Sequence, residues 1–531
     1  MMKNPTLQRL PLDLSTFREL RTSQYVYVDK TQYAYNLITG GRRFFLSRPR
    51  RFGKSLFVSM LQEVLEGNKA LFKDLWIERS DYPWHQHGVI VLDLSAIMVI
   101  SIEVLRARVC ELLQLNANRY NLNIVLNPTQ PDSALEELVS ALHAKFGRVA
   151  VLVDEYDSPI LKHLNEPEQG SKIRDVLKNF FAAIKSLDAS INFVFITGVS
   201  SFAKAGIFSG LNNLRIITLH EQWATVCGYT DQEIDHYFAP YIQAWADKEN
   251  ISYDDLRLQI KNWYNGYRFG EEAMPVYNPF SCMNAFDEQK FKNFWFTSGT
   301  PSFLVNELEK AHRASEMSLL ELESIETTED VLGIFDVGKT PLPALMFQTG
   351  YLTIASFDKE NQAYRLGYPN YEVRTAAQKY LLAVYTNSDI ESIVQLVLKL
   401  VSALKQKNIP EIVALIKARL TRVPYPLHEK AEKYYHSLLH VLFDAAGLKI
   451  CSEYMTSHGR IDMIIELPVV NYLLEFKFDQ SAQKALEQIE ERKYYEALRE
   501  KNKPIILLGL NFKRKKKEFD VEYESKEIAG V

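Results

Sequence analysis

Ser47-Arg48-Pro49-Arg50-Arg51-Phe52-Gly53-Lys54-Ser55 is the stretch on which the reading of this chain turns. An apolar run, Phe44 to Leu46, stands before it, and an amphipathic pattern from Lys54 to Leu65 follows. Strand, tight loop and helix start, closing on Gly-Lys-Ser, make a phosphate cradle, because backbone N–H groups and the helix dipole converge on an anion. Arg51, Phe52 and Gly53 would line the phosphates, Lys54 would reach the β- and γ-phosphates, and the Ser55 hydroxyl would bind Mg²⁺. The general pattern has Gly where Arg48 stands.

Outward from the loop, the chain from Arg42 to about Leu219 alternates short apolar runs with amphipathic stretches. Val89 to Leu94, Val149 to Val153 and Phe193 to Thr197 are such runs. Strands separated by helical patterns predict a parallel α/β sheet. Val149 to Val153 leads into Asp154-Glu155. Asp154 is expected to hold Mg²⁺ through water and Glu155 to orient the attacking water. Thr197 closes the next strand, where it could sense the γ-phosphate. ATP and Mg²⁺ are therefore the expected cofactors.

The 531 residues predict several domains. Hydrophobic residues at 47% and charged residues at 24% describe a globular chain, and a net charge of −4 excludes a whole-protein basic field. Any nucleic-acid contact must use local patches such as Lys513 to Lys517. Cys110, Cys227, Cys282 and Cys451 form no CxxC pair, which fits a reducing cytoplasm. No apolar leader or membrane span is expected.

Four parts are expected. Residues 10–220 form the phosphate-binding core, and 221–300, rich in aromatics, form a helical extension. Residues 301–420 form a helical linker region. Within it Tyr351 to Phe357 and Ala363 to Gly367 read as a hairpin, in the manner of a winged helix. Residues 424–525 form a small α/β unit of order α-β-β-β-α-β: helix 429–446, strand 449–454, hairpin 460–478, helix 481–500 and strand 504–511.

Several segments together resemble the bacterial AAA-ATPase-like family, itself similar to signalling-type (STAND) and archaeal P-loop ATPases. They are Tyr27-Val28-Asp29-Lys30-Thr31, Ser47 to Leu56, Leu152 to Pro159, Thr197 to Ser200, Phe208 to Leu214 and Tyr264-Asn265-Gly266-Tyr267. The resemblance covers about 10–300. Its loop is Arg-Pro-Arg-Arg-Phe-Gly-Lys-Ser, so Arg48 is the family residue. Members often carry a C-terminal PD-(D/E)XK nuclease domain, which implies a restriction-endonuclease-like fold for the last unit.

The residues of that unit suit phosphodiester hydrolysis, which needs a divalent metal, acidic ligands and a cation near the attacking water. Gly459-Arg460-Ile461-Asp462 is followed by Leu474-Glu475-Phe476-Lys477. With a turn centred between Val469 and Val470, Asp462 faces Lys477 and Ile464 faces Glu475, so 462, 475 and 477 share a face. Asp462 and Glu475 would ligate Mg²⁺ with the Phe476 carbonyl, and Lys477 would act on water or charge. The resemblance adds Glu432 as the first acidic residue and Gln488 as the glutamine of resolvase-like members. His436 is one turn from Glu432. The tyrosine that accompanies Gln488 is Tyr494 by family spacing or Tyr495 by helical geometry.

The function expected is an ATP-binding, ATP-hydrolysing protein that controls a metal-dependent nuclease. Its partner is nucleic acid, DNA ahead of RNA, with no membrane and with room for a homo-oligomer. The alternatives are a nucleotide-driven switch whose last domain binds nucleic acid without cleaving it, and a purely structural role, against which the full set Glu432, Asp462, Glu475 and Lys477 argues.

Overall fold

The computed structural model describes residues 7–163, 166–201, 206–208, 210–211, 213–297, 325–333, 341–420, 431–456, 459–499, 503–515 and 518–529. The chain divides into two compact units, one of Met1–Phe303 with Ile325–Glu372 and one of Leu304–Ser324 with Val373–Val531. The stretch 301–420, expected as one linker region, is therefore shared between them.

The first unit is built on β1 (Arg43–Ser47), β2 (Gly88–Asp93), β3 (Val149–Asp154), β4 (Ile191–Gly198) and β5 (Arg215–Ile216). They form one sheet in the order β2-β3-β4-β1-β5, with every neighbour parallel. β1 and β3 are buried along their whole length. That follows from their unbroken apolar text, since helices cover both faces of a parallel sheet. The order brings β4 between β1 and β3. Ser47, Asp154 and Gly198 thus end three adjacent strands at the carboxyl edge, where open α/β sheets bind ligands.

The aromatic region after the sheet is helical, with helices Asp231–Glu249, Tyr253–Tyr264 and Pro279–Glu288 packed around Trp245, Phe238, Tyr264 and Phe286. Thr230 and Glu233 form a capping box at the first of these, and Glu233 also receives the Lys30 ammonium at 2.7 Å. Helix Leu342–Thr349 then leads into β7 (Thr353–Asp358) and β8 (Ala363–Gly367), the expected hairpin. The sequence reading missed β6 (Glu326–Thr327), a two-residue strand that extends the hairpin to the order β6-β8-β7.

The second unit ends in a mixed sheet of β9 (Lys449–Thr456), β10 (Gly459–Glu466), β11 (Asn471–Phe478), β12 (Ile505–Lys515) and β13 (Glu518–Ile528), in the order β13-β12-β11-β10-β9. Only β11 and β12 run parallel. Helix Ala431–Ala445 covers one face, with Tyr435 stacked on Phe478 and Phe512. Helix Ala482–Glu491 covers the other, where Leu486 and Ile489 meet Ile464, Leu473 and Leu507. This is the expected α/β unit with one strand more.

Three local expectations change. The β10–β11 turn lies at Pro468-Val469, because Leu467 N–H donates to Val470 O at 3.0 Å, and Ile464 pairs with Leu473 instead of Glu475. Proline presets the φ that a turn needs, which draws the turn onto Pro468. The expected helix 481–500 stops at Glu491, and Lys493 takes φ 48 before a short helix, Glu496–Arg499. The last strand is longer than expected and returns as β13. No helix among the described residues is long and apolar enough to cross a membrane.

Candidate functional site

The loop after β1 turns into helix Lys54–Leu65 through Gly53, whose φ of 91 suits glycine. Arg51 also takes a positive φ, 67, and its guanidinium lies 4.8 Å over the Phe280 ring. Arg48 does not occupy the cradle. It is 1% exposed and turns inward, donating to Ser47 O and Thr218 O at 2.8 Å and to Trp223 O at 3.0 Å, with its guanidinium 4.0 Å over Phe269. Burial lowers its pKa to about 10. Its side chain thus fastens the 218–223 segment beneath the loop, which is why arginine is accommodated where the general pattern has glycine.

Lys54 is buried and folds back over the loop. Its ammonium donates to Arg48 O at 3.1 Å and Pro49 O at 3.2 Å and pairs with Glu155 at 3.3 Å. Asp154 closes β3; burial pushes its carboxyl up to about 6, against which the Ser55 hydroxyl bond and the Lys54 charge act. Glu155 takes φ 49, a left-handed conformation that costs a non-glycine residue on the order of 1 kcal/mol. Its own N–H donates to Asp154 Oδ1 at 3.0 Å. Thr197, on β4, has a buried Oγ1 with no hydrogen-bond partner.

A cavity of about 650 Å³ runs from Gly53, Lys54, Ser55 and Glu155 to an apolar end at Val28, Tyr229, Phe280 and Met283. Asp154 and Thr197 are not among its lining residues. Two further residues were missed by the sequence reading. Lys162 lines the cavity and donates to Ser95 O at 2.7 Å. Asp157 is fully buried and accepts from Val199 N at 3.1 Å and Ser200 N at 2.6 Å. It lies against Gly198, where a Cβ would come within 2.4 Å of its Oδ1. In the sequence Asp157 was visible only as part of the segment Leu152 to Pro159. The cradle fits a nucleotide: it offers a left-handed glycine at a helix start and a lysine over the loop.

In the second unit the β10–β11 register begins at Met463 against Leu474, and continued by one residue it sets Asp462 against Glu475, two residues from the expected pairing with Lys477. A shift of two keeps the parity, so 462, 475 and 477 still share a face. Lys477 Nζ donates to Glu475 Oε1 at 3.2 Å and to Gln488 Oε1 at 2.7 Å, and Gln488 Nε2 donates to Glu475 Oε1. Phe476 N donates to Asp462 Oδ2 at 2.8 Å. On the opposite face His436 Nε2 bonds the Asp462 carbonyl at 3.1 Å, and its ring meets Phe476 edge-on. Glu432 belongs to helix Ala431–Ala445, but its side chain lies outside the described residues. Tyr494 is buried in the core and Tyr495 is half-buried against it; the helix end at Glu491 removes the helical argument for the latter.

Glu475 is 2% exposed, and its Oε2 has no partner. Burial first, and the nearby Asp462 charge second, raise its carboxyl to about 7, while Lys477 pulls the other way. Gly509, unremarked in the sequence, pairs with Glu475 across β11 and β12. A Cβ there would lie 2.5 Å from Ala482 O, so glycine lets the helix bearing Gln488 approach the sheet. A divalent cation fits here, since it would satisfy the orphaned oxygen and offset two neighbouring carboxylates. Among the described residues no group of three His, Cys, Asp or Glu side chains is assembled, and Asp462 with Glu475 stands as a pair. In the basic run, Lys513 pairs with Glu522 at 2.6 Å, and residues 516–517 lie outside the described residues.

A family model described as predicted AAA-ATPase matches residues 11–208, and one described as PD-(D/E)XK nuclease superfamily matches 430–522. The "uncharacterized protein in vnfD 5′ region" of Azotobacter chroococcum mcd 1 is 37% identical over 519 residues, 96% of this chain and 97% of that protein. Among solved structures, the Aeropyrum pernix ORC1 protein in complex with DNA is 13% identical, covering 66% of this chain and 91% of that one, with a TM-score of 0.24. The Aeropyrum pernix ORC2 protein is 11% identical, covering 68% and 91%, with a TM-score of 0.27.

Proposed function

Because the chain belongs to the predicted AAA-ATPase family and carries a PD-(D/E)XK nuclease superfamily domain at its end, we propose that it binds and hydrolyses ATP and thereby controls a metal-dependent nuclease. ATP would supply the transferable phosphoryl group, and Mg²⁺ would supply positive charge and an acidified water at each site. Arg51, Phe52, Gly53, Lys54 and Ser55 hold the phosphates in this reading. Ser55 and Asp154 hold the cation, Glu155 orients the attacking water, and Thr197 senses the terminal phosphate.

In the nuclease domain Asp462 and Glu475 hold the cation, together with the Phe476 carbonyl and Glu432. Lys477 orients water or balances charge on the phosphate, and Gln488 keeps Lys477 and Glu475 in place. The substrate is nucleic acid, DNA ahead of RNA. The setting is the cytoplasm, in keeping with four free cysteines.

The observation that carries the reading is the buried, unpartnered Oε2 of Glu475 beside Asp462. Such a group costs stability and is explained by a function that fills it. The test is cleavage of mixed DNA and RNA substrates with Mg²⁺ or Mn²⁺, with and without ATP. Metal-dependent cleavage that changes with ATP is expected. If no substrate is cut under any condition, the switch becomes the better reading. One observation favours that switch: Glu155 is paired with Lys54, and a base so engaged must be released before it can polarise water.

A further inference from the structure

The phosphate loop and the end of β4 are both held from behind by one corner of the first unit. Beyond Thr197, the amides of Val199 and Ser200 are clamped by Asp157, and the next amide, Ser201 N–H, donates to Gln348 Oε1 at 3.0 Å. Gln348 is 5% exposed on helix Leu342–Thr349, and its Nε2 donates to Leu332 O at 2.6 Å. Both ends of this amide are therefore committed. Two residues on, Gly350 takes φ 91, and a Cβ there would lie 2.7 Å from the Pro49 ring. The phosphate loop thus packs directly on the Gly350 backbone. The next loop residue, Arg50, accepts at its carbonyl from Trp295 Nε1 at 3.1 Å, and the Trp295 ring meets Tyr351 with centroids 5.2 Å apart. Neither Gln348 nor Trp295 lines the 650 Å³ cavity.

We infer that Gln348 and Trp295 are positioning residues of the nucleotide site: Gln348 sets the β4 end that carries Thr197, and Trp295 sets the loop that carries Gly53 and Lys54. The inference rests on the nucleotide-binding reading and extends it. The two ties meet at residues 348–351, so a change at the phosphates that moves either element is felt at that corner. Side-chain amides bonded at both ends suit this task, because loss of either bond leaves a buried polar group unsatisfied.

The experiment uses the full chain as wild type, Gln348→Leu, Gln348→Glu and Trp295→Phe, each with amide hydrogen exchange and titration of a fluorescent, non-hydrolysable ATP analogue. In nucleotide-free protein, Gln348→Leu should raise exchange at 198–201 about tenfold. Gln348→Glu keeps the acceptor for Ser201 and loses the donor to Leu332. It should retain protection at Ser201 and lose it near 332. In wild type the analogue should slow exchange at 342–351, and Gln348→Leu should remove that response. Trp295→Phe should abolish the tryptophan emission change on analogue binding while binding persists. If the analogue binds, and exchange at 198–201 and the response at 342–351 are the same in Gln348→Leu as in wild type, the inference fails alone. If wild type binds no analogue, the nucleotide reading fails and takes this inference with it.

Discussion

The two candidate sites handle buried charge in opposite ways. Around the phosphate loop the buried lysine is answered from within: Lys54 has two loop carbonyls and Glu155, and Asp154 has the Ser55 hydroxyl. In the nuclease-superfamily domain Asp462 and Glu475 are neighbours, Lys477 pairs with Glu475, and one Glu475 oxygen has no partner. In the first site each of these groups has a partner within the chain before any ligand arrives, so in the proposed reading an incoming phosphate exchanges with Glu155 for Lys54. The second keeps one carboxylate oxygen unsatisfied, which a bound proton or a cation would relieve without rearranging the chain. Ligand-free stability and ligand-dependent chemistry should therefore separate cleanly between the two.

The sharpest way to break this comparison is at the carboxylate pair. The Asp462→Ala/Glu475→Ala double variant should lose metal-dependent cleavage by ~10³-fold or more, with the domain still folded by circular dichroism. Cleavage that persists in the double variant would refute the site. Lys477→Ala should slow cleavage at saturating substrate more than it weakens DNA binding, which single-turnover kinetics separates from affinity.

The next largest effect belongs to Glu155. Glu155→Gln should lower ATP turnover ~10²-fold and leave ATP bound, because it removes a base and an ion-pair partner but no phosphate contact. Equal turnover in variant and parent would move the role to another residue. Lys54→Ala should weaken a fluorescent ATP analogue by ~10-fold or more through loss of a charge-assisted contact, and equal affinity would refute the assignment.

The pH dependence sharpens the contrast with a smaller effect. The folded-state pKa of Glu475, about 7, lies above the ordinary value of 4.5 for a glutamate. The native state therefore binds more protons than the unfolded state between these values, and stability must fall as pH rises through that window. Metal-free protein should lose on the order of 2–3 kcal/mol from this group between about pH 4.5 and 7. Asp154 adds a loss of the same sign ending near its value of about 6. Glu475→Gln should flatten the upper part of the slope, and Mg²⁺ should do so in the parent. Thermal melts at several pH values with EDTA or Mg²⁺ check this; an unchanged slope in Glu475→Gln would remove the buried carboxylate as its cause.

Much of the architecture was readable from residue order. Unbroken apolar runs identified four of the five strands of the first sheet, because a strand covered on both faces needs no polar alternation. β5, with both of its residues exposed, and β6, two residues long, carried no such signal. The shared face of 462, 475 and 477 survived a misplaced turn, because strand parity is indifferent to a shift of two.

What the sequence determined by itself were the local quantities: a Gly-Lys-Ser helix start, strands ending in carboxylates, and charge alternation along a hairpin. Each depends on neighbours in the chain. Only the tertiary structure decided that Arg48 is a buried strut, that Asp157 and Gln348 hold the β4 end from two sides, that Gly509 admits the helix bearing Gln488, and that Glu475 keeps an oxygen without a partner. Each of these is a packing or solvation relation between residues far apart in sequence, and burial, which sets both the energetics and the chemistry of a polar group, exists only once the chain has closed around it.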